Sequence, residues 1–133
     1  MKLLNELYTI TRETHEDGAH DYLLRLNAGH FIYAAHFPGE PITPGVCILQ
    51  IAHELLQLAL KKPLKIICVK NVKFMKLVSP NQIREIHYSI SKISESVSAE
   101  GDGKNVVRAQ ITVSDNDGAE YAKLSLMMQP EPI

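Results

Sequence analysis

The chain has 133 residues, of which 45% are hydrophobic and 22% charged, and its formal net charge is -1. This length and composition are typical of one globular domain, which we place over residues 1–133. A net charge so close to zero argues against general binding to nucleic acid or to an anionic membrane.

The first predicted elements are two strands. Tyr8 to Thr14 and Tyr22 to Asn27 flank Glu16-Asp17-Gly18, and this turn-forming sequence predicts a hairpin. The residues before the hairpin lack the apolar core and the cleavage site of a signal peptide. We therefore expect a cytoplasmic protein.

One long helix is predicted from Thr43 to Leu60. Thr43 suits the N-cap position, Pro44 suits the first helical position, and Pro63 ends the helical pattern. Apolar side chains surround most of this helix, so we expect it to be buried on most of its faces. The segment is too short and too often interrupted by polar residues to cross a membrane.

Short strands fill the rest of the chain. Residues 86–91 alternate apolar and polar side chains, as a half-buried strand does. Turns are predicted at 101–103 and 115–118, and a last strand alternates over 121–128 before a loose tail at 129–132. One buried helix with several antiparallel strands predicts an α+β domain in which a sheet curls around the helix.

Four polar residues interrupt the apolar pattern of the helix at i, i+3, i+4 and i+7, so they share one narrow stripe. They are Gln50, His53, Glu54 and Gln57. Two interpretations stay open: the stripe faces solvent or a second subunit, or it borders a functional site.

The stretch from His36 to Val46 carries the strongest functional signal. It reads His-Phe-Pro-Gly-Glu-Pro-Ile-Thr-Pro-Gly-Val, so a histidine lies in a segment that three prolines restrict and that leads directly into the helix. Gly45 would expose its backbone N–H at the helix N-terminus, where a developing anion is stabilised. A base beside an oxyanion site is the minimum set of groups for removing a proton alpha to a carbonyl.

This stretch resembles the signature of the bacterial 3-hydroxyacyl-acyl-carrier-protein dehydratases, His-Phe-Pro-Gly-x-Pro-x-x-Pro-Gly-Val. The resemblance implies their hotdog fold, an antiparallel sheet wrapped around one long central helix. It also implies a homodimer or higher homo-oligomer with active sites at the subunit interface. His36 would remove the alpha proton of a 3-hydroxyacyl thioester, the N–H groups of Gly45 and Val46 would hold the thioester oxygen, and Phe37 would contact the substrate.

Gln50 departs from the pattern of that family, which carries Glu or Asp at this position and usually Gln one turn later. This chain has Glu54 there, so the two residues are exchanged. An amide cannot donate a proton as a carboxylic acid does, so we expect Gln50 to orient substrate or water. Because residues i and i+4 lie about 5–6 Å apart between Cβ atoms, Glu54 could supply the acid. The alternative is an impaired site, or one whose acid comes from a second type of subunit.

Other candidate binding features are weaker. His53-Glu54 followed by Gln57 lacks the second histidine of a zinc-protease pattern, and the remaining histidines show no ligand spacing, so we predict no metal and no other cofactor. Cys47 and Cys68 each lie in an apolar run and are expected to be small buried residues.

A basic stretch follows the helix, with no acidic residue between positions 61 and 76. Its lysines are Lys61, Lys62, Lys65, Lys70, Lys73 and Lys76. They form either a solvated positive face or a docking surface for an acidic acyl carrier protein.

The predicted function is dehydration of a 3-hydroxyacyl thioester, carried by acyl carrier protein, in fatty-acid or related lipid or polyene synthesis. One alternative is a non-catalytic acyl-binding hotdog subunit, possible as one half of a heterodimer, and another is an acyl thioesterase. The motif argues against the thioesterase. Gln50 is the residue that separates the first two possibilities.

Overall fold

The computed structural model of the protein describes residues 2–35, 39–97 and 105–131. Its elements in chain order are β1 (Tyr8–Glu16), β2 (Ala19–Leu26), α1 (Phe31–Ala35), α2 (Gly45–Leu60), β3 (Leu64–Phe74), β4 (Glu85–Val97), β5 (Asn105–Ser114) and β6 (Glu120–Pro130). Within the described ranges, six strands form one antiparallel sheet in the order β1-β2-β4-β5-β6-β3. The strands β1 and β3 are therefore the two edges of the sheet.

The core lies between one face of this sheet and α2. Alternate residues of the strands point into it, and the predicted alternation in β6 is confirmed, since Ala122, Leu124, Leu126 and Met128 are all buried. Irregular register in β1, β3 and β4 marks β-bulges, which increase the twist of a strand. The bulges help the sheet to curl around the helix.

The predicted turns at Asp17-Gly18 and at residues 115–118 are confirmed. Asp17 and Gly18 have φ values of 51° and 77°, and Gly118, at φ 86°, donates its N–H to the Asp115 carbonyl at 3.2 Å. The turn predicted at 101–103 lies outside the described residues.

The start of α2 differs from the prediction. Pro44, not Thr43, is the N-cap residue, with an extended backbone (φ -61, ψ 147) and no side-chain capping bond. The Thr43 hydroxyl lies instead 2.9 Å from the Tyr33 hydroxyl in the core. The Thr43 hydroxyl is therefore hydrogen-bonded to the buried Tyr33 instead of capping the helix.

The prediction that α2 is buried on most of its faces is confirmed, although Val46 and Leu58 are 63% and 45% exposed. Two further predictions about burial and extent are wrong. Cys68 is exposed because it lies on the edge strand β3, whereas Cys47 is buried as predicted. The expected loose tail from residue 129 belongs in part to β6, whose residues 129 and 130 pair with the start of β3.

The short helix α1 was not predicted from the sequence; five residues are too few to show a helical period. Among the helices formed by the described residues, none has the length and apolar character that a membrane span requires.

Candidate active site

The loop that leads into α2 is held by the connection between β3 and β4. The N–H of Thr43 donates to the Val78 carbonyl at 2.7 Å, and Gln82 Nε2 donates to Glu40 Oε1 at 3.1 Å. These two bonds fix the segment that immediately precedes the helix. The predicted base His36 and the predicted substrate contact Phe37 lie outside the described residues, just before this segment.

Gly45 and Val46 occupy the first two positions of α2. The N–H groups of Cys47 and Ile48 both donate to the Pro44 carbonyl, at 2.9 and 3.1 Å, so the intrahelical bonds begin at these residues. N–H groups at the first two helical positions have no intrahelical acceptor and lie at the positive end of the helix dipole. The position suits the binding of a thioester oxygen that gains negative charge.

The ring of Phe74, at the end of β3, lies directly against Gly45. A Cβ atom added at Gly45 would stand 3.0 Å from Phe74 Cζ and 3.1 Å from Cε2. A side chain at position 45 would therefore push on the ring, which would have to shift by a few tenths of an ångström. Phe74 was not predicted as a site residue, since nothing in the sequence shows that the end of β3 reaches the start of α2.

Glu54 is only 8% exposed and is surrounded by hydrogen-bond donors. Its Oε2 accepts from the N–H of Leu3 at 2.8 Å and from Gln50 Nε2 at 2.9 Å. Its Oε1 accepts from the N–H of Leu4 and from the Tyr8 hydroxyl, both at 2.9 Å. The carboxylate predicted as a possible acid therefore anchors the N-terminal segment to the central helix.

Burial and the neighbouring Glu54 carboxylate raise the pKa of Tyr8, so this hydroxyl keeps its proton and stays a donor. Burial likewise raises the pKa of Tyr33 and of Tyr88. The Tyr88 hydroxyl donates to the Ile48 carbonyl at 3.0 Å. These tyrosines act as buried structural donors around α2.

The other two residues of the polar stripe hold the beginning of β3. His53 Nε2 donates to the Leu64 carbonyl at 2.6 Å, and the Leu64 N–H donates to Gln57 Oε1 at 2.9 Å. A groove of about 600 Å³ borders the same stripe, lined in part by Gln50, Gln57 and Lys61. The stripe thus both borders a groove and binds backbone groups, a second role that the sequence did not indicate.

The histidines show one contact that the sequence did not indicate. His15 and His20 are register partners across the β1–β2 hairpin, and their Nδ1 atoms face each other in contact. Among the residues that the structure describes, no group of three or more His, Cys, Asp or Glu side chains could hold a metal ion.

A family model of the ApeI-like dehydratases, described as ApeI dehydratase, matches residues 12–110. The chain belongs to this family. The 3-hydroxyacyl-[acyl-carrier-protein] dehydratase FabZ of Clostridium acetobutylicum is 31% identical over 94 residues, which are 61% of this chain and 66% of the relative. The match thus spans slightly less than two thirds of the relative's length.

Similar solved structures show that this member of the ApeI-like family has the hotdog fold. The dehydratase heterocomplex ApeI:P from Xenorhabdus doucetiae gives a TM-score of 0.64 at 15% identity, over 89% of this chain and 96% of that chain. An uncharacterised protein from Erwinia carotovora gives 0.61 at 17% identity, over 92% and 93%. A mutant thioesterase from Pseudomonas aeruginosa gives 0.59 at 13% identity, over 91% and 80%. The predicted α+β class and hotdog architecture are confirmed.

Proposed function

We propose that this hotdog dehydratase eliminates water from a 3-hydroxyacyl thioester carried on acyl carrier protein, in fatty-acid or related lipid or polyene synthesis. The observation that carries the proposal is the junction of loop and helix. The residues after the histidine motif are fastened to the β3–β4 connection and lead into a helix that begins with Gly45. The Clostridium relative is named as a dehydratase of this substrate class, which supports the choice.

In the proposed reaction, His36 removes the proton from the carbon alpha to the thioester carbonyl. The N–H groups of Gly45 and Val46 stabilise the negative charge that develops on the carbonyl oxygen, and Phe37 contacts the acyl substrate. The imidazolium of His36 then returns the proton to the C3 hydroxyl, which leaves as water. A C2–H and a C3–O bond are replaced by a C2=C3 double bond, without a cofactor.

In the proposed reaction Gln50 acts in orientation rather than in proton transfer. One histidine that first accepts and then donates the same proton does not need a second acid. The Gln50 side chain, on the first half of α2, is proposed to orient the hydroxyl or the departing water. Glu54, with both oxygens engaged by donors, supports this arrangement better than it would supply a proton.

The site is proposed to form between two copies of the chain. The edge strand β3 carries exposed apolar side chains at Ile67, Val69 and Val72, which are 40%, 39% and 37% exposed. Apolar edge strands readily pair with a second chain, because their unpaired N–H and C=O groups add to another sheet edge. A homodimer joined at β3 would cover these side chains.

Carrier docking is assigned to the lysines at positions 61–76, most of them exposed on and around β3. Lys62 pairs with Glu95 at 2.5 Å, and Lys76 lies 5.5 Å from the centre of the Tyr121 ring. A positive face of this kind steers an acidic partner. We place both the protein and its carrier in the cytoplasm.

A second candidate function is that of a non-catalytic or impaired subunit that works beside a different chain. The Xenorhabdus neighbour is described as a heterocomplex, and Gln50 lacks the acid of the family pattern. In this case the other chain would supply the carboxylate. The thioesterase alternative has only the shared fold in its favour.

The test is an assay of the purified protein with 3-hydroxyacyl carrier protein, in which mass spectrometry follows the loss of water. We expect formation of the enoyl thioester by the wild type and none by His36→Ala. Hydrolysis to a free acid would favour the thioesterase. The absence of either product, with substrate still bound, would favour the non-catalytic subunit.

A further inference from the structure

The backbone that carries the Phe74 ring is held by β6. Phe74 is the last residue of β3, and its register partner is Ala122. The next two backbone N–H groups, those of Met75 and Lys76, both donate to the Tyr121 carbonyl, at 2.8 and 3.2 Å. The Lys76 ammonium also lies 5.5 Å from the centre of the Tyr121 ring. The position of Phe74 is thus set by the sheet.

The ring lies on the side of Gly45 to which the free donors of α2 point. The three heavy atoms nearest to a Cβ added at Gly45 all belong to Phe74, at 3.0, 3.1 and 3.7 Å. The Cα–Cβ direction of a helical residue is tilted toward the N-terminus of the helix. The N–H groups of the first turn, which have no intrahelical acceptor, point to the same end. The ring therefore lies beside the N–H groups of Gly45 and Val46, which are proposed to hold the thioester oxygen.

The surface around these donors is apolar and open. Phe74 is 50% exposed although its ring contacts Gly45, and the side chain of Val46 is 63% exposed. Polar donors bordered by apolar side chains suit a ligand in which a polar oxygen adjoins a hydrocarbon part. A thioester carbonyl with the acyl chain attached to it has this character.

The ring leaves little room beside the proposed position of the carbonyl. Even one carbon added at Gly45 would require Phe74 to shift by a few tenths of an ångström. In an acyl thioester, C2 is bonded directly to the carbonyl carbon, so C2 and its substituents stay close to an oxygen that Gly45 holds. A group larger than hydrogen on C2 would therefore press on the Phe74 ring.

We infer that Phe74 is a specificity-determining residue: its ring limits the size of the group on C2, so the site takes 3-hydroxyacyl thioesters unbranched at C2 and discriminates against those with a 2-methyl group. The inference rests on the proposed function. A 2-methyl-3-hydroxyacyl thioester keeps one hydrogen on C2, so loss of that proton and of the C3 hydroxyl as water remains chemically possible. The discrimination is therefore steric.

The test compares 3-hydroxybutyryl and 2-methyl-3-hydroxybutyryl thioesters of the carrier protein. In the wild type we expect kcat/KM to be at least about 10-fold lower for the 2-methyl substrate, because one methyl group in a fitted pocket changes transition-state binding by about 10–200-fold. Phe74→Ala should bring the two values within about threefold of each other, and Phe74→Leu should give an intermediate ratio. Leu77→Ala is the matched control: it removes another exposed apolar side chain, from the β3–β4 connection, and should keep the wild-type ratio.

Binding of the corresponding amides separates this inference from the proposed function. Amides keep the carbonyl oxygen, but their C2 proton is far less acidic, so calorimetry measures their binding without turnover. The dissociation constants should differ in the wild type and become similar in Phe74→Ala. If this difference is found and the wild type performs no dehydration, the proposed function fails and the role of Phe74 stands.

Three results would overturn the inference. The first is equal use and equal binding of the two substrates by the wild type. The second is an unchanged ratio in Phe74→Ala, or the same change of ratio in Leu77→Ala. The third is failure of the wild type to bind either compound, which would remove the proposed function as well. Thermal unfolding shows whether each variant folds, and Phe74→Leu carries the comparison if Phe74→Ala does not.

Discussion

Gln50 donates a hydrogen bond to Glu54 across one turn of α2, with 2.9 Å between Nε2 and Oε2. The two residues that depart from the dehydratase pattern are therefore one unit rather than two independent changes. A substitution at either residue therefore alters the partner as well.

Replacement of His36 by alanine should abolish dehydration and leave the fold intact. A positioned base contributes about 10²–10⁴-fold to such a reaction, so the loss would be evident. Turnover of purified His36→Ala and its thermal unfolding curve check the prediction. Turnover near that of the wild type would remove His36 from the mechanism.

Gln50→Glu should create a second carboxylate beside Glu54 and make stability depend on pH. Two carboxylates this close cannot both ionise easily, so the pKa of one of them rises in the folded protein. The folded state then binds this proton more tightly than the unfolded chain does. The free energy of unfolding should therefore fall as pH rises from about 4.3, the ordinary value for Glu, up to the raised pKa.

The same variant tests for a missing acid. The shared proton would return a donor to the position that the family pattern uses. Because His36 is proposed to act without a second acid, turnover should not rise above that of the wild type, and a rise on the acidic side of the pH profile would favour the site that lacks its acid. Gln50→Leu, which cannot titrate, is the matched control for both measurements. A stability profile of Gln50→Glu parallel to that of the control would contradict the expected coupling.

Gly45→Ala should displace the Phe74 ring. The new Cβ would lie 3.0 Å from Phe74 Cζ, and the ring can yield because Phe74 is 50% exposed. We expect the free energy of unfolding to fall by about 1 kcal/mol. Turnover should fall as well, because the proposed oxyanion site begins at this residue. Adding Phe74→Ala should recover part of the stability in a double-mutant cycle by chemical denaturation. Additive effects of the two changes would show that the contact does not matter.

Protonation of His20 should destabilise the β1–β2 hairpin. Burial lowers the pKa of His20 from its usual 6.5, the facing His15 lowers it further, and Asp21 opposes the shift. The unfolded chain then binds the proton more readily, so stability is lost as pH falls below about 6.5. Glu13 lies 3.5 Å from His15 Nε2 and also faces the pair. In urea titrations, His20→Gln should reduce the loss of unfolding free energy at acidic pH. His87→Gln, on a different strand, is the control and should not reduce it.

The proposed dimer can be tested at its apolar edge. Val69→Asp places a charge on β3 and should shift the protein towards the monomer in analytical ultracentrifugation, because a buried unpaired charge is costly. The matched control is Val97→Asp on β4, where valine is 65% exposed. A wild type that is already monomeric at high concentration would refute the interface.

Local patterns predicted much of this fold, because strands and turns depend on neighbouring residues. The alternation that ends at Met128 and the turn at Gly118 are examples. The prediction of Thr43 as the N-cap was wrong because the side-chain partner of Thr43 is Tyr33, which belongs to a different element. The prediction that Cys68 is buried was wrong because hydropathy does not show which strand lies at an edge of the sheet.

The candidate site was predictable in part for the same reason. The motif from His36 to Val46 is contiguous, so the sequence alone indicated its chemistry. The partners of Glu54 lie at Leu3 and Leu4, 51 and 50 positions away, and only the folded chain brings them together. Phe74 and Gly45 are likewise far apart in the sequence and meet only in the folded chain.

Leu64 connects the sheet edge to the central helix. Both of its backbone polar groups bind α2 side chains, one to His53 and one to Gln57. These lie on the same helical face as Gln50. If a second chain adds to β3 as proposed, movement of that strand would reach the proposed site through Leu64, as well as through the contact between Phe74 and Gly45. Subunit assembly and alignment of the reacting groups would then be mechanically linked, and a loosened dimer would lose turnover before it loses its fold.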